Sequence, residues 1–213
     1  MQIKINNLSK TINNNLILNN INLTMYSGNI YGIVGNNGSG KTMLLRAISG
    51  MIIPTEGTVS IDEKILHKDI SYPPEMGILI EKPEFIGHLS GFKNLTILSS
   101  IKELITMEQI NKIMQQFGLD PDSKLPVRKY SLGMKQKLGI IQAVMEDQQL
   151  LVLDEAFNAL DETAVHMLRN LLLLYKEKGK LIIITSHNKE DIMTLCDFIY
   201  LIDKGSIVSV KEI

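Results

Sequence analysis

The apolar residues of this chain fall into two kinds of run, one alternating and one continuous. Gln2 to Leu8 puts Ile3 and Ile5 on one side, and Ile21, Leu23 and Met25 repeat the same period of two, which predicts two strands joined through the turn Asn13-Asn14-Asn15. Ile30-Tyr31-Gly32-Ile33-Val34 is a short run of strand formers, and Met43 to Ser49 reads as a helix after it. Gly57 to Ile61 adds a strand, punctuated by Pro54 and Glu56-Gly57. Leu150 to Leu153 and Leu181 to Ile184 contain no polar position, the mark of strands covered on both faces of a parallel sheet. Between them Asp161 to Lys178 predicts a helix with Val165, Leu168, Leu172 and Tyr175 inward and Gly179 as its stop. Phe198 to Ile202 and Ser206 to Val210 predict a hairpin turned by Lys204-Gly205.

From Pro73 the pattern loosens, with Pro73-Pro74, Gly77, Pro83, Gly87 and Gly91 marking a loop-rich crossing and Gly77 to Ile80 a short strand. Thr106-Met107-Glu108-Gln109 has capping-box spacing, followed by Ile110, Ile113, Met114 and Phe117 on one face and a stop at Gly118. A further helix starts near Ser131 and carries Leu138, Ile141 and Met145. The reading is a single α/β domain: residues 1–86 and 146–213 form a core with a β layer, and 87–145 form an inserted helical lobe.

Bulk properties narrow the function. With 213 residues the chain can bury a core without staples. A net charge of −1 gives no electrostatic footprint for nucleic acid, so no nucleic-acid partner is expected. Cys196 is the single cysteine, so no intramolecular disulfide forms, which suits a reducing compartment. The apolar runs are far shorter than a membrane span and Met1 to Asn7 lacks the apolar segment of a signal peptide, so a membrane role is expected to come through a partner.

The candidate chemistry starts at Gly35-Asn36-Asn37-Gly38-Ser39-Gly40-Lys41-Thr42, which fits the phosphate-loop pattern at every fixed position and lies between a strand and a helix. Backbone N–H groups of such a loop cradle phosphate oxygens at the positive end of the helix. Lys41 then reaches the β- and γ-phosphates, and Thr42 holds Mg²⁺ through its hydroxyl. A second carboxylate element is supplied by Leu150-Leu151-Val152-Leu153-Asp154-Glu155. Asp154 is placed to hold Mg²⁺, and Glu155 to accept a proton from an attacking water.

Between these elements lies Ser131-Leu132-Gly133-Met134-Lys135, which resembles a variant of the signature of the ATP-binding-cassette (ABC) family, keeping its serine and second glycine. Asn158-Ala159-Leu160-Asp161 resembles the family's D-loop, and Thr185-Ser186-His187 ends a buried strand with a histidine like the one the family uses at the γ-phosphate. The resemblance covers essentially the whole chain. It implies a RecA-like sheet, an N-terminal antiparallel β layer and hydrolysis of ATP to ADP and phosphate, with Lys41, Glu155 and His187 catalytic.

Two positions depart from the family pattern. Where members usually stack an aromatic on adenine this chain has Ile12, and where a glutamine usually approaches Mg²⁺ it has Glu81. Ile80-Glu81-Lys82-Pro83-Glu84-Phe85 and His88-Leu89-Ser90-Gly91-Phe92-Lys93-Asn94-Leu95 resemble the exporter ATPases of bacitracin resistance and lantibiotic immunity. That resemblance implies a peripheral subunit on the cytoplasmic face of the membrane, bound to a separate transmembrane permease and exporting a peptide or lipid-like antimicrobial. A second, identical ATPase chain is expected to place its Ser131 and Gly133 over the nucleotide held by Lys41, because the lobe that carries them is not expected to fold over its own sheet edge. The alternatives are a soluble, non-transport ABC ATPase, and a phosphate-loop kinase that leaves Ser131 to Lys135 and His187 without a role.

Overall fold

The computed structural model describes residues 1–213. Its strands are β1 (Gln2–Ile12), β2 (Asn15–Tyr26), β3 (Ile30–Val34), β4 (Glu56–Ile61), β5 (Lys64–Ile65), β6 (Met76–Leu79), β7 (Leu150–Leu153), β8 (Leu181–Ile184), β9 (Phe198–Asp203) and β10 (Ser206–Glu212). Its helices are α1 (Lys41–Ile48), α2 (Gly91–Ser99), α3 (Met107–Gln116), α4 (Leu132–Val144), α5 (Glu162–Glu177) and α6 (Lys189–Leu195).

Two sheets form. A four-stranded antiparallel layer runs β2-β1-β4-β5, and a six-stranded sheet runs β10-β9-β3-β8-β7-β6. In the larger sheet β9, β3, β8, β7 and β6 are parallel, and only β10 returns antiparallel. The first hairpin is longer than the alternation predicts. Asn7 takes a positive φ, and the register slips between Ile5 and Leu8, so the buried positions resume at Leu8 and the strand continues to Ile12. The turn itself is the pair Asn13-Asn14, both with positive φ, as a two-residue hairpin loop requires.

The continuously apolar strands have a simple physical cause. Leu151, Leu153, Ile182 and Ile184 face one buried cluster, shared with α4, α5 and α6, while Leu150, Val152, Leu181 and Ile183 face another, shared with α1 and the β layer. Neither face meets water, so neither tolerates a polar residue. Leu95, Ile110, Met114 and Phe117 of α2, α3 and the turn after α3 belong to the same cluster as Leu151 and Leu153. The lobe is therefore packed onto the sheet and has no separate core. No helix is long and apolar enough to cross a membrane.

Candidate active site

The phosphate loop connects β3, in the middle of the parallel sheet, to α1. Carboxyl ends of such strands are where α/β ligand sites form. Five of the six helices begin with a side chain that accepts a backbone N–H: Ser90, Thr106, Ser131, Asp161 and Asn188. The exception is α1, which starts after Gly40 with no side-chain cap and no acid in its first turn. Its first N–H groups and positive dipole end are left for an anion from outside the chain. Gly40 has φ of 110°, a conformation that other residues rarely take, and it turns the chain into the helix there.

Lys41 is buried, and its Nζ donates to the Gly35 and Asn36 carbonyls at 2.8 and 3.0 Å. The ammonium is thus held across the mouth of the loop with a third N–H to spare. Ser39 Oγ is buried and has no partner, an orphaned hydroxyl inside the same loop. An uncapped helix end, an ammonium and an unpaired hydroxyl fit a polyphosphate such as that of ATP.

Across from the loop, Thr42 Oγ1 donates to Asp154 Oδ2 at 2.7 Å, and Thr185 Oγ1 donates to Oδ1 at 2.6 Å. Thr185 Oγ1 also accepts from the Glu155 backbone N–H at 2.8 Å. Asp154 is 5% exposed, so these hydroxyls hold a buried carboxylate in place. A hydroxyl and a carboxylate oxygen side by side are hard donors of the kind Mg²⁺ takes from protein when phosphates supply the rest. The donor set fits Mg²⁺, and the chemistry such an ion supplies is neutralisation of phosphate charge.

Glu155 sits two residues past the end of β7 with φ of 50°, which swings its side chain out of the strand direction. Its Oε1 lies 2.7 Å from His187 Nε2 and its Oε2 accepts from Asn158 Nδ2 at 2.6 Å. Thr42, Glu81, Asp154, Glu155 and Asn158 line one open cleft of about 390 Å³. A carboxylate held by two partners beside that cleft is suited to orienting a water or accepting its proton.

The signature-like segment is placed differently. Ser131 Oγ caps α4 by accepting from Met134 N at 3.2 Å, and Leu132 borders the cleft. A side chain on Gly133 would come within 2.7 Å of the Ala159 carbonyl. Gln136 Nε2 donates to the Glu155 and Ala156 carbonyls at 3.2 and 3.1 Å, and Lys137 Nζ meets Asp161 Oδ2 at 2.5 Å. One face of α4 is thus fastened to residues 155–161. The Lys137 ammonium holds the Asp161 carboxyl below the usual carboxylate range, helped by the Ala164 N–H.

The two departures lie at the margins. Ile12 ends β1 at 38% exposure, and no hydrogen bond ties it to the phosphate loop. The hairpin residues that reach the phosphate loop are Leu18 and Ile17, whose side chain and carbonyl would lie 3.1 and 3.3 Å from a Cβ on Gly40. Glu81 Oε1 pairs with Arg46 Nη2 at 2.7 Å and has no bond to Thr42 or Asp154. Sequence reasoning missed Thr185 and Asn158 as partners of the two acids. A hydroxyl standing directly after a continuous apolar run was the one available signal for Thr185.

Comparison with known proteins places the whole chain in one family. Residues 18–158 match the family described as ABC transporter. Over 211 residues, covering 99% of this chain and 97% of the relative, the chain is 44% identical to the uncharacterized ABC transporter ATP-binding protein YybJ of Bacillus subtilis. It is 33% identical to the lantibiotic transport ATP-binding protein SrtF of Streptococcus pyogenes, covering 99% of this chain and 90% of that one. It is 35% identical to the bacitracin transport ATP-binding protein BcrA of Enterococcus faecalis, covering 97% and 68%. Among solved structures, the ATP-binding subunit of an ABC transporter superposes with a TM-score of 0.91 at 23% identity, over 100% of this chain and 90% of that one. A dimeric cassette bound to ADP and Pi gives 0.86 at 20% identity, over 99% and 98%. The chain belongs to the ABC transporter family, as one of its ATP-binding ATPase subunits.

Proposed function

We propose that this ATPase drives a separate membrane permease that exports a peptide or lipid-like antimicrobial and so protects the cell that makes or meets it. The observation that carries the ATPase half is the meeting of Thr42, Asp154, Glu155 and His187 beside the one helix end that no side chain caps. In this reading Lys41 and the loop N–H groups bind the β- and γ-phosphates of ATP. Thr42 and Asp154 hold Mg²⁺, and Glu155, with His187 against it, activates the water. Ile12 offers the adenine an aliphatic surface in place of a ring. Glu81, pinned to Arg46 at the edge of the cleft, becomes a metal-side acid only if that pair opens. Two copies share the work, each presenting Ser131 and Gly133 to the nucleotide of the other.

Support for the cargo comes from relatives named for lantibiotic and bacitracin transport, together with the Ile80–Phe85 and His88–Leu95 segments. A permease partner on the cytoplasmic face of the membrane follows from that reading, since no helix here is fit to span. The test is affinity purification of the tagged chain from detergent-solubilised membranes of its own cell. Recovery with a multi-span subunit, and loss of resistance to bacitracin or a lantibiotic on deletion, is the expected result. Quantitative recovery without any membrane subunit, and unchanged resistance, would overturn it.

A further inference from the structure

Outside the groups assigned so far, the densest buried charge lies between α5 and α6. Asp191, in the first turn of α6, is 1% exposed, and a carboxylate that deep must be matched. Arg169 of α5 matches it, with Nε and Nη2 donating to Oδ1 at 3.0 and 2.6 Å, and with Nη1 donating to Glu190 Oε1 at 2.9 Å. The other oxygen, Oδ2, accepts from Ser186 Oγ at 2.9 Å. Ser186 Oγ in turn accepts from the Asn188 backbone N–H at 3.0 Å. The residue between Ser186 and Asn188 is His187.

Fastening two helices together would need only the Arg169 contacts. It leaves unexplained why the Ser186 hydroxyl, directly before the histidine, donates to that same buried carboxylate and accepts from the backbone N–H directly after the histidine. His187 itself is 48% exposed at its side chain and meets Glu155 alone. Packing does not orient such a ring, so its direction must come from the backbone that carries it. We infer that Arg169, Asp191 and Ser186 form a positioning chain that aims His187 at Glu155. The inference rests on the reading of Glu155 and His187 as the hydrolytic pair. Arg169 lies on α5, which Asp161 caps at the end of the Asn158–Asp161 loop, so the same helix carries the chain and follows that loop.

The test uses Ser186→Ala and Arg169→Lys, each alone and combined with His187→Ala. The lysine keeps the charge and loses the planar fork. Each single variant is expected to lower kcat about threefold to tenfold with KM for ATP unchanged, the range that loss of one or two hydrogen bonds allows. Neither is expected to lower it further in the His187→Ala background, because residues acting through one group are not additive. A second readout needs no nucleotide. In nitrogen–proton spectra of the imidazoles, the His187 signal should move toward that of a free ring in both variants while His67, His88 and His166 stay. An unmoved His187 signal, or an equal loss of kcat with and without His187, would overturn the chain. If Arg169→Lys does not fold, Ser186→Ala decides alone. A His187→Ala protein at parental rate would bring down the hydrolytic pair and this inference together. A slow His187→Ala protein beside parental Ser186 and Arg169 variants would bring down only the inference.

Discussion

Thr42 and Asp154 come from elements 112 positions apart and meet in a hydrogen bond of 2.7 Å. The bond joins the first turn of α1 to the end of β7, and so sets the width of the gap that phosphates and a metal share in the proposed function. Because Thr185 holds the other oxygen, Asp154 cannot turn away without breaking both bonds of a carboxylate that is 5% exposed.

Replacing either charge at this gap should therefore be felt in binding before it is felt in fold. Lys41→Ala removes the buried ammonium assigned above to the phosphates, and a charged hydrogen bond lost is worth about 1.5–3 kcal/mol, or roughly a tenfold to hundredfold weaker affinity. Asp154→Asn should weaken binding of the magnesium complex more than that of nucleotide in chelator. Calorimetry under both conditions is the check, and equal losses for Asp154→Asn would remove it from the metal site.

Glu155→Gln keeps the size of the side chain and removes its basicity. Turnover is expected to fall by about 10²–10⁴ while ATP still binds. With hydrolysis blocked, light scattering should report a dimer with ATP and a monomer without it. Parental turnover in this variant would remove Glu155 as the base, and a monomer at saturating ATP would remove the paired-cassette arrangement.

The base contact should be weak. Ile12 offers no ring to stack, and an aromatic pair contributes about 0.5–1.5 kcal/mol beyond burial. Discrimination between ATP and GTP is expected to be modest, and Ile12→Tyr should tighten adenine nucleotides by about twofold to tenfold. Competition binding decides it, and a parental protein that rejects GTP strongly would be incompatible with this assignment.

Asp161 caps α5 and pairs with Lys137, so Asp161→Ala should cost about 1–2 kcal/mol at neutral pH, most of it from the cap, because the pair is half exposed. Its carboxyl titrates below the ordinary range in the folded protein. A depressed carboxyl stabilises the fold above the unfolded value of about 3.9 and loses that contribution as pH falls through the folded value. Urea midpoints of parent and variant should thus be furthest apart near pH 7 and draw together below about pH 4.

What could be read in advance was whatever local rules decide. The phosphate loop, the Lys204-Gly205 turn with φ of 44° and 78°, and the reciprocal Thr106–Gln109 capping box all follow from short spacings. The apolar runs at Leu150 and Leu181 announced strands with two covered faces. What escaped depends on partners far along the chain. Nothing near Asp191 says that Arg169 will bury it, and nothing near Glu155 says that His187 will meet it. The helix α6 was missed because it has only seven residues, too few for a helical period to repeat. The joining of Glu56–Ile61 to β1 instead of the larger sheet was equally silent, since an alternating strand does not name its neighbour.

Glu155 stands in the left-handed region, where a residue with a Cβ gives up about 1 kcal/mol and a glycine gives up almost nothing. Stability and chemistry therefore pull in opposite directions at one position. In a copy of this protein released from selection for turnover, a glycine there would regain that backbone cost against the His187 and Asn158 bonds it gives up, so the position can be lost with little change in melting while the proposed base disappears.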